Sequence, residues 1–185
     1  MKQKINRMSF GKKGTRIDVF HMNKPWKNGL AGMITSKLFQ EKIAIVVDDD
    51  LLSGIDADFA CLAVGKNGIA PRIIMANDIF YGFKRGCPMA RTTVFHELGH
   101  YVHGDINSSF DSDQYDGDRI ENAEKGLVLS VEAAADEFAV SYLGAKTALD
   151  GLSTLKDRVD SISEESLAAL ELQARINLIQ DKLKS

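Results

Sequence analysis

Cysteine is nearly missing from this chain. Its two cysteines, Cys61 and Cys87, form no CxxC pair, and two thiols make no disulfide framework. No apolar run approaches the roughly 20 residues of a membrane span. The basic start MKQKINRMSFGKKGTR is not followed by an apolar stretch, so no secretory signal is expected. An excess of positive charge is lacking too. The net charge is -3, which predicts no direct nucleic-acid binding and no attraction to an anionic membrane. Internal repeats and low-complexity segments are absent. A reducing, cytoplasmic setting is the expectation; oligomeric state is not encoded legibly.

What remains is an ordinary globular composition of 185 residues, 44% hydrophobic and 26% charged. That length suits one domain over residues 1–185, with a core about 42–147 and a C-terminal helix about 163–184. IDVFHM at 17–22, KIAIVV at 42–47, residues 59–64 and RIIM at 72–75 read as strands, the last opened by Pro71 and suited to a sheet edge. Lys66-Asn67-Gly68 reads as a turn, the DDD after Val47 as a solvated end, and Asn28–Gln40 as a modestly amphipathic helix. Pro88 at a first helical position and Gly104 as a C-cap bracket a helix over 88–103. A polar loop follows at 104–126. Ser130 is expected to cap a helix reaching about Ala145. A last amphipathic helix carries Leu167, Leu170, Ile176, Leu178 and Ile179 as its stripe. Strands first and helices last predict an α+β fold.

Three of the four histidines fall in TTVFHELGHYVHGD, residues 92–105. On a helix, His96 and His100 lie one turn apart on one face and can aim ring nitrogens at one ion. Zinc takes imidazole at about 2.0–2.1 Å in a tetrahedral shell. Glu97, about 100° round the helix, cannot easily ligate the same ion but is placed to act as a general base on a water. Gly99 costs about 1 kcal/mol of helix propensity, which makes sense where another backbone passes close by.

A catalytic zinc site takes three protein ligands and keeps one position open. SVEAAADEFA, residues 130–139, supplies Glu132 as the third ligand. Asp136, one turn on, can orient a ligand histidine through a hydrogen bond. Ala133, Ala134, Ala135 and Ala139 are small enough for this helix to lie against Gly99. Rival ligands are His103, placed too far along the helix, and the carboxylates Asp105, Asp111, Asp113, Asp116 and Asp118. Cys87 precedes the ligand helix and is expected to be a plain thiol. Residues 72–75, as an edge strand, could pair with an extended substrate. Tyr81, Tyr101, Tyr115 and Tyr142 are the tyrosines available to steady an oxyanion.

HELGHYVHGD followed by EAAADEFA resembles the ImmA/IrrE family of zinc metallopeptidase domains. Those domains pair an HExxH helix with a later E-x-x-A-D/N-x-F-A helix, here Glu132, Ala135, Asp136, Phe138 and Ala139. The lead-in ARTTVFHELGH is also similar. The resemblance spans roughly 90–145. It implies a gluzincin-like, zincin-type domain: a short mixed or antiparallel sheet on an HExxH helix, with further helices C-terminal. His96, His100 and Glu132 would hold zinc, with Glu97 as base. It further implies a protein or peptide substrate, such as a transcriptional repressor of a phage, mobile element or stress response. The sequence departs from some relatives in carrying no N-terminal helix-turn-helix. A non-catalytic, zinc-containing regulatory or partner-binding domain is the alternative, and Glu97 speaks against it, since a structural site needs no base.

Overall fold

A computed structural model describes residues 4–54, 59–63, 70–104, 112–162 and 166–184. The chain divides into two compact units, Met1–Arg85 and Gly86–Ser185. The fold is α+β, as expected: a six-stranded mixed sheet lies in the first unit, and the elements among the described residues of the second are helices.

In the first unit the strands are β1 (Ile5–Phe10), β2 (Ile17–Met22), β3 (Leu30–Ser36), β4 (Ile43–Val47), β5 (Ala60–Ala63) and β6 (Arg72–Met75). Their spatial order is β1-β2-β3-β4-β6-β5. All neighbours are antiparallel except β4 and β6, which are parallel. Alternation puts one set of β-branched side chains on a common face. Val19, Ile34 and Ile43 form a cross-strand row, Ile45 pairs with Ile73, and all five are buried.

Two expectations fail here. Residues 30–36 are a strand, not part of a helix, because Gly32 must lie flat against its neighbour. A Cβ at Gly32 would come within 2.1 Å of the Phe20 carbonyl oxygen, so cross-strand pairing overrode a weak helical pattern. Strand β6 is interior, held between β4 and β5, so residues 72–75 offer no edge. Its burial over Ile73, Ile74 and Met75 fits a strand covered on both faces. Two short helices were not read from the sequence. The acidic run after Val47 opens α1 (Asp49–Gly54), where the Asp48 carboxylate accepts the Leu51 N–H at 2.9 Å. Helix α2 (Asn77–Arg85) buries Ile79, Phe80 and Phe83. The turn at 66–68 lies outside the described residues.

The second unit holds α3 (Pro88–His103), α4 (Ser112–Glu124), α5 (Ser130–Leu143), α6 (Ala145–Asp160) and α7 (Leu167–Lys184). Helix α3 packs on α5 and α6, α6 on α7, and α7 on α4. The expected polar loop is therefore largely a helix. Residues 112–124 fold because Ala123 is buried and Arg119 ion-pairs with Glu171 of α7, contacts that no local pattern announces. Ser130 is the first helical residue rather than the cap; Leu129 holds the cap position and makes no side-chain cap bond. Helix α5 stops at Leu143 because Gly144 turns left-handed at φ 82°, and α6 begins at once. In α7, Leu170 is exposed and Leu172 is buried instead, joining Leu152, Ile176 and Ile179 in an apolar cluster. Among the described residues no helix is long and apolar enough to cross a membrane.

Candidate metal centre

Helix α3 begins and ends where the sequence placed it. Pro88 opens it, and Gly104 closes it at φ 73° with its N–H on the His100 carbonyl oxygen at 3.1 Å. The helix is buried on most sides: Ala90, Thr92, Val94, Phe95, Leu98 and Gly99 are all covered along with His96 and His100. Gly99 allows α5 to approach. A Cβ there would lie 2.7 Å from the Ala135 Cα and 2.9 Å from its carbonyl oxygen. That close crossing brings Glu132 and Asp136 to the two histidines.

His96, His100 and Glu132 form one buried cluster whose ligand atoms lie within 4.8 Å of one another. His96 Nε2 is 3.0 Å from His100 Nε2 and 3.1 Å from Glu132 Oε2, and His100 Nε2 is 3.5 Å from Glu132 Oε1. A tetrahedral ion with bonds of about 2.0–2.1 Å sets its donors about 3.3–3.4 Å apart. The two separations from His96 fall a few tenths of an ångström short of that value and the third, to the other Glu132 oxygen, lies just above it; the donor set of two imidazoles and a carboxylate suits a divalent metal. The cluster can therefore hold a metal ion.

Asp136 lies behind His96, its Oδ1 2.9 Å from Nδ1. A carboxylate there favours the tautomer with the proton on Nδ1, which leaves the Nε2 lone pair facing the other ligands. Arg175 of α7 completes the arrangement. Its Nε donates to Asp136 Oδ2 at 2.8 Å and its Nη2 to Oδ1 at 2.6 Å; Nη2 also lies 2.9 Å from His96 Nδ1, and Nη1 is 3.6 Å from Glu132 Oε2.

Burial opposes every one of these charges, and the partners outweigh it. Burial and the Arg175 charge press the His96 imidazolium down, but the bond and charge of Asp136 with the bond to Glu132 lift it to about 9. Burial raises Glu132, yet His96, Arg175 and His100 hold it far below the carboxylate range. Asp136 is likewise depressed by Arg175 and His96 against its burial. Desolvation would weaken the Arg175 guanidinium's hold on its proton, but Asp136, Glu132 and Glu171 keep it firmly charged.

The other candidates scatter. Glu97 sits beside His96 on α3 and is half-buried. His103 and Asp118 are exposed, away from the cluster of three. Asp105 and Asp111 lie outside the described residues, as do the side chains of Asp113, Tyr115 and Asp116. Cys87 is a half-buried free thiol at the head of α3. Tyr142 stacks on Phe95 with ring centroids 5.5 Å apart, Tyr81 lies edge-on to Phe80 in the first unit, and Tyr101 is half-buried.

Arg175 and Glu171 escaped the sequence reading. The signal was present: two charges four residues apart within the apolar side of an amphipathic helix, where lone charges are expensive. Comparison with protein-family models, curated proteins and solved structures finds no significant match for this chain.

Proposed function

We propose that this protein is a zinc-dependent endopeptidase with a zincin-like site, acting in the cytoplasm on a specific protein target. The observation that carries the reading is the buried His96–His100–Glu132 cluster, whose donor atoms lie close enough together to hold one metal ion. Two imidazoles and one carboxylate are the donors of catalytic rather than structural zinc sites, and they leave one position open. When bound, zinc would polarise a peptide carbonyl and acidify water at that open position.

The chain's own residues do the rest. Asp136 holds the His96 ring by Nδ1. The Glu97 carboxylate accepts a proton from the attacking water and returns it to the amide nitrogen as the C–N bond breaks. The resemblance to ImmA/IrrE domains supports a transcriptional repressor as the target.

The test is Glu97→Gln. It should retain about one equivalent of zinc and cleave nothing. A proteomic comparison of cells carrying the wild type and Glu97→Gln should show a new protein terminus only with the wild type. Equal cleavage by both sinks the mechanism. Less than about half an equivalent of zinc in wild-type protein, purified without chelators, counts against the metal itself. Partner binding that is lost with the metal yet unaffected by Glu97→Gln would favour the regulatory alternative.

A further inference from the structure

The apolar stripe of α7 is broken by one buried arginine. Arg175 is 8% exposed, and it reaches across to α5 rather than out to water. A guanidinium so deeply buried is tolerable only when its donors are matched. Its planar fork meets both Asp136 oxygens, at 2.8 and 2.6 Å. The same Asp136 Oδ1 holds His96 Nδ1. A single carboxylate therefore carries the orientation of a metal ligand on one side and an arginine from the C-terminal helix on the other.

We propose that Arg175 is a positioning residue of the metal centre: it locks Asp136, Asp136 sets the His96 ring, and α7 is thereby a working part of the site. The proposal rests on the metal-centre reading, not on peptidase activity. Left to hydrogen-bond His96 alone, the Asp136 carboxylate could rotate and carry the imidazole with it. Two parallel bonds from a rigid fork remove that freedom. The arginine is itself anchored. Leu172 and Ile176, its neighbours on α7, pack with Leu152 of α6. Glu171, one turn earlier, accepts two bonds from Arg119 of α4, at 3.1 and 2.6 Å.

A positive charge next to a cation site has a cost. Coulomb repulsion alone would make Arg175 weaken metal binding, so a positioning role must outweigh it through geometry. Arg175→Lys separates the two, because it keeps the charge and removes the fork.

The experiment titrates zinc and cobalt(II) into the full chain. Losing such an outer support typically weakens metal binding about 10–100-fold. Arg175→Lys should weaken zinc at least about tenfold and alter the visible cobalt spectrum. Asp136→Asn should do the same. Arg175 also reaches His96 Nδ1 directly at 2.9 Å, but its paired bonds go to Asp136, so the double variant should lose clearly less than the product of the two single losses. Wild-type affinity and spectrum in Arg175→Lys, or losses that simply multiply in the double variant, would overturn the proposal. Should Arg175→Lys fail to fold, NMR of the wild type decides: a locked fork gives separate Nη–H resonances for Arg175, and a freely rotating, averaged guanidinium overturns it. Wild type that takes up neither ion defeats the metal-centre reading and this proposal with it. Wild type that binds while Arg175→Lys binds equally well defeats this proposal alone.

Discussion

Gly99 on α3 and Ala135 on α5 meet with no room for a side chain between them: a Cβ at Gly99 would sit 2.7 Å from the Ala135 Cα. The crossing fixes how far apart the two halves of the metal cluster lie, since His96 and His100 flank Gly99 and Glu132 and Asp136 flank Ala135. Gly99→Ala sets two effects against each other. Helix propensity favours alanine by about 1 kcal/mol. Overpacking against backbone, which cannot swing aside as a flexible side chain can, costs typically about 1–3 kcal/mol. Overpacking should win, with a lower melting temperature and weaker zinc binding than wild type. The usual stabilising effect of alanine in a helix, seen in a denaturant melt, would show that the helices are not this close.

The half of the site on α3 was legible because it is local. The i, i+4 spacing of the histidines, Pro88 and Gly104 are all sequence-adjacent signals, and the helix keeps the bounds they set. Glu132 and Asp136 were legible for the same reason, with Gly99 and Ala135 supplying the hint that the helices touch. Arg175 was not, because its partners are 39 and 79 positions away and only tertiary packing brings them together. Helix α4 was missed on similar grounds: its composition is that of a loop, and it is held by Arg119 on Glu171 and by the burial of Ala123. Residues 30–36 misled in the opposite direction, since Gly32 weakens a strand pattern locally and is required by the neighbouring strand.

At the proposed metal site, protons and metal would compete for the Nε2 atom of His96, because Nδ1 faces Asp136. With the imidazolium pKa lifted to about 9, one proton must leave for each ion bound below that pH. Apparent zinc affinity should therefore fall by about tenfold for each unit of pH below 9. Stability should show both signs. A folded pKa raised above the unfolded value of about 6.5 contributes stability that is full below 6.5 and is lost as pH rises through about 9. Glu132 and Asp136 are held far below this range and stay ionised throughout it. Protein kept in a chelator should thus melt lower at pH 9.5 than at pH 6, while the stabilising increment from saturating zinc should grow over the same interval. Melting curves in chelator that do not drop between pH 7 and 9.5 would refute the assigned role of His96.

His100 and His103 are three residues apart on one helix and fare differently: the first is buried against His96, ring centroids 4.6 Å apart at 89°, and the second is exposed. His100→Ala removes one of the three proposed ligands, and the two that remain fall short of the three protein ligands such a zinc site takes. Zinc content after gel filtration should drop from about one equivalent toward zero. His103→Ala removes an exposed side chain from the last turn of α3. Its stability change should stay within about 0.5 kcal/mol, and its zinc content should match wild type. The contrast separates a site defined by geometry from a helix that merely carries several imidazoles. If His103→Ala loses the metal as readily as His100→Ala, the third ligand is His103 or the site is not built on this face of α3, and Glu132→Gln then tells them apart by keeping or losing its zinc.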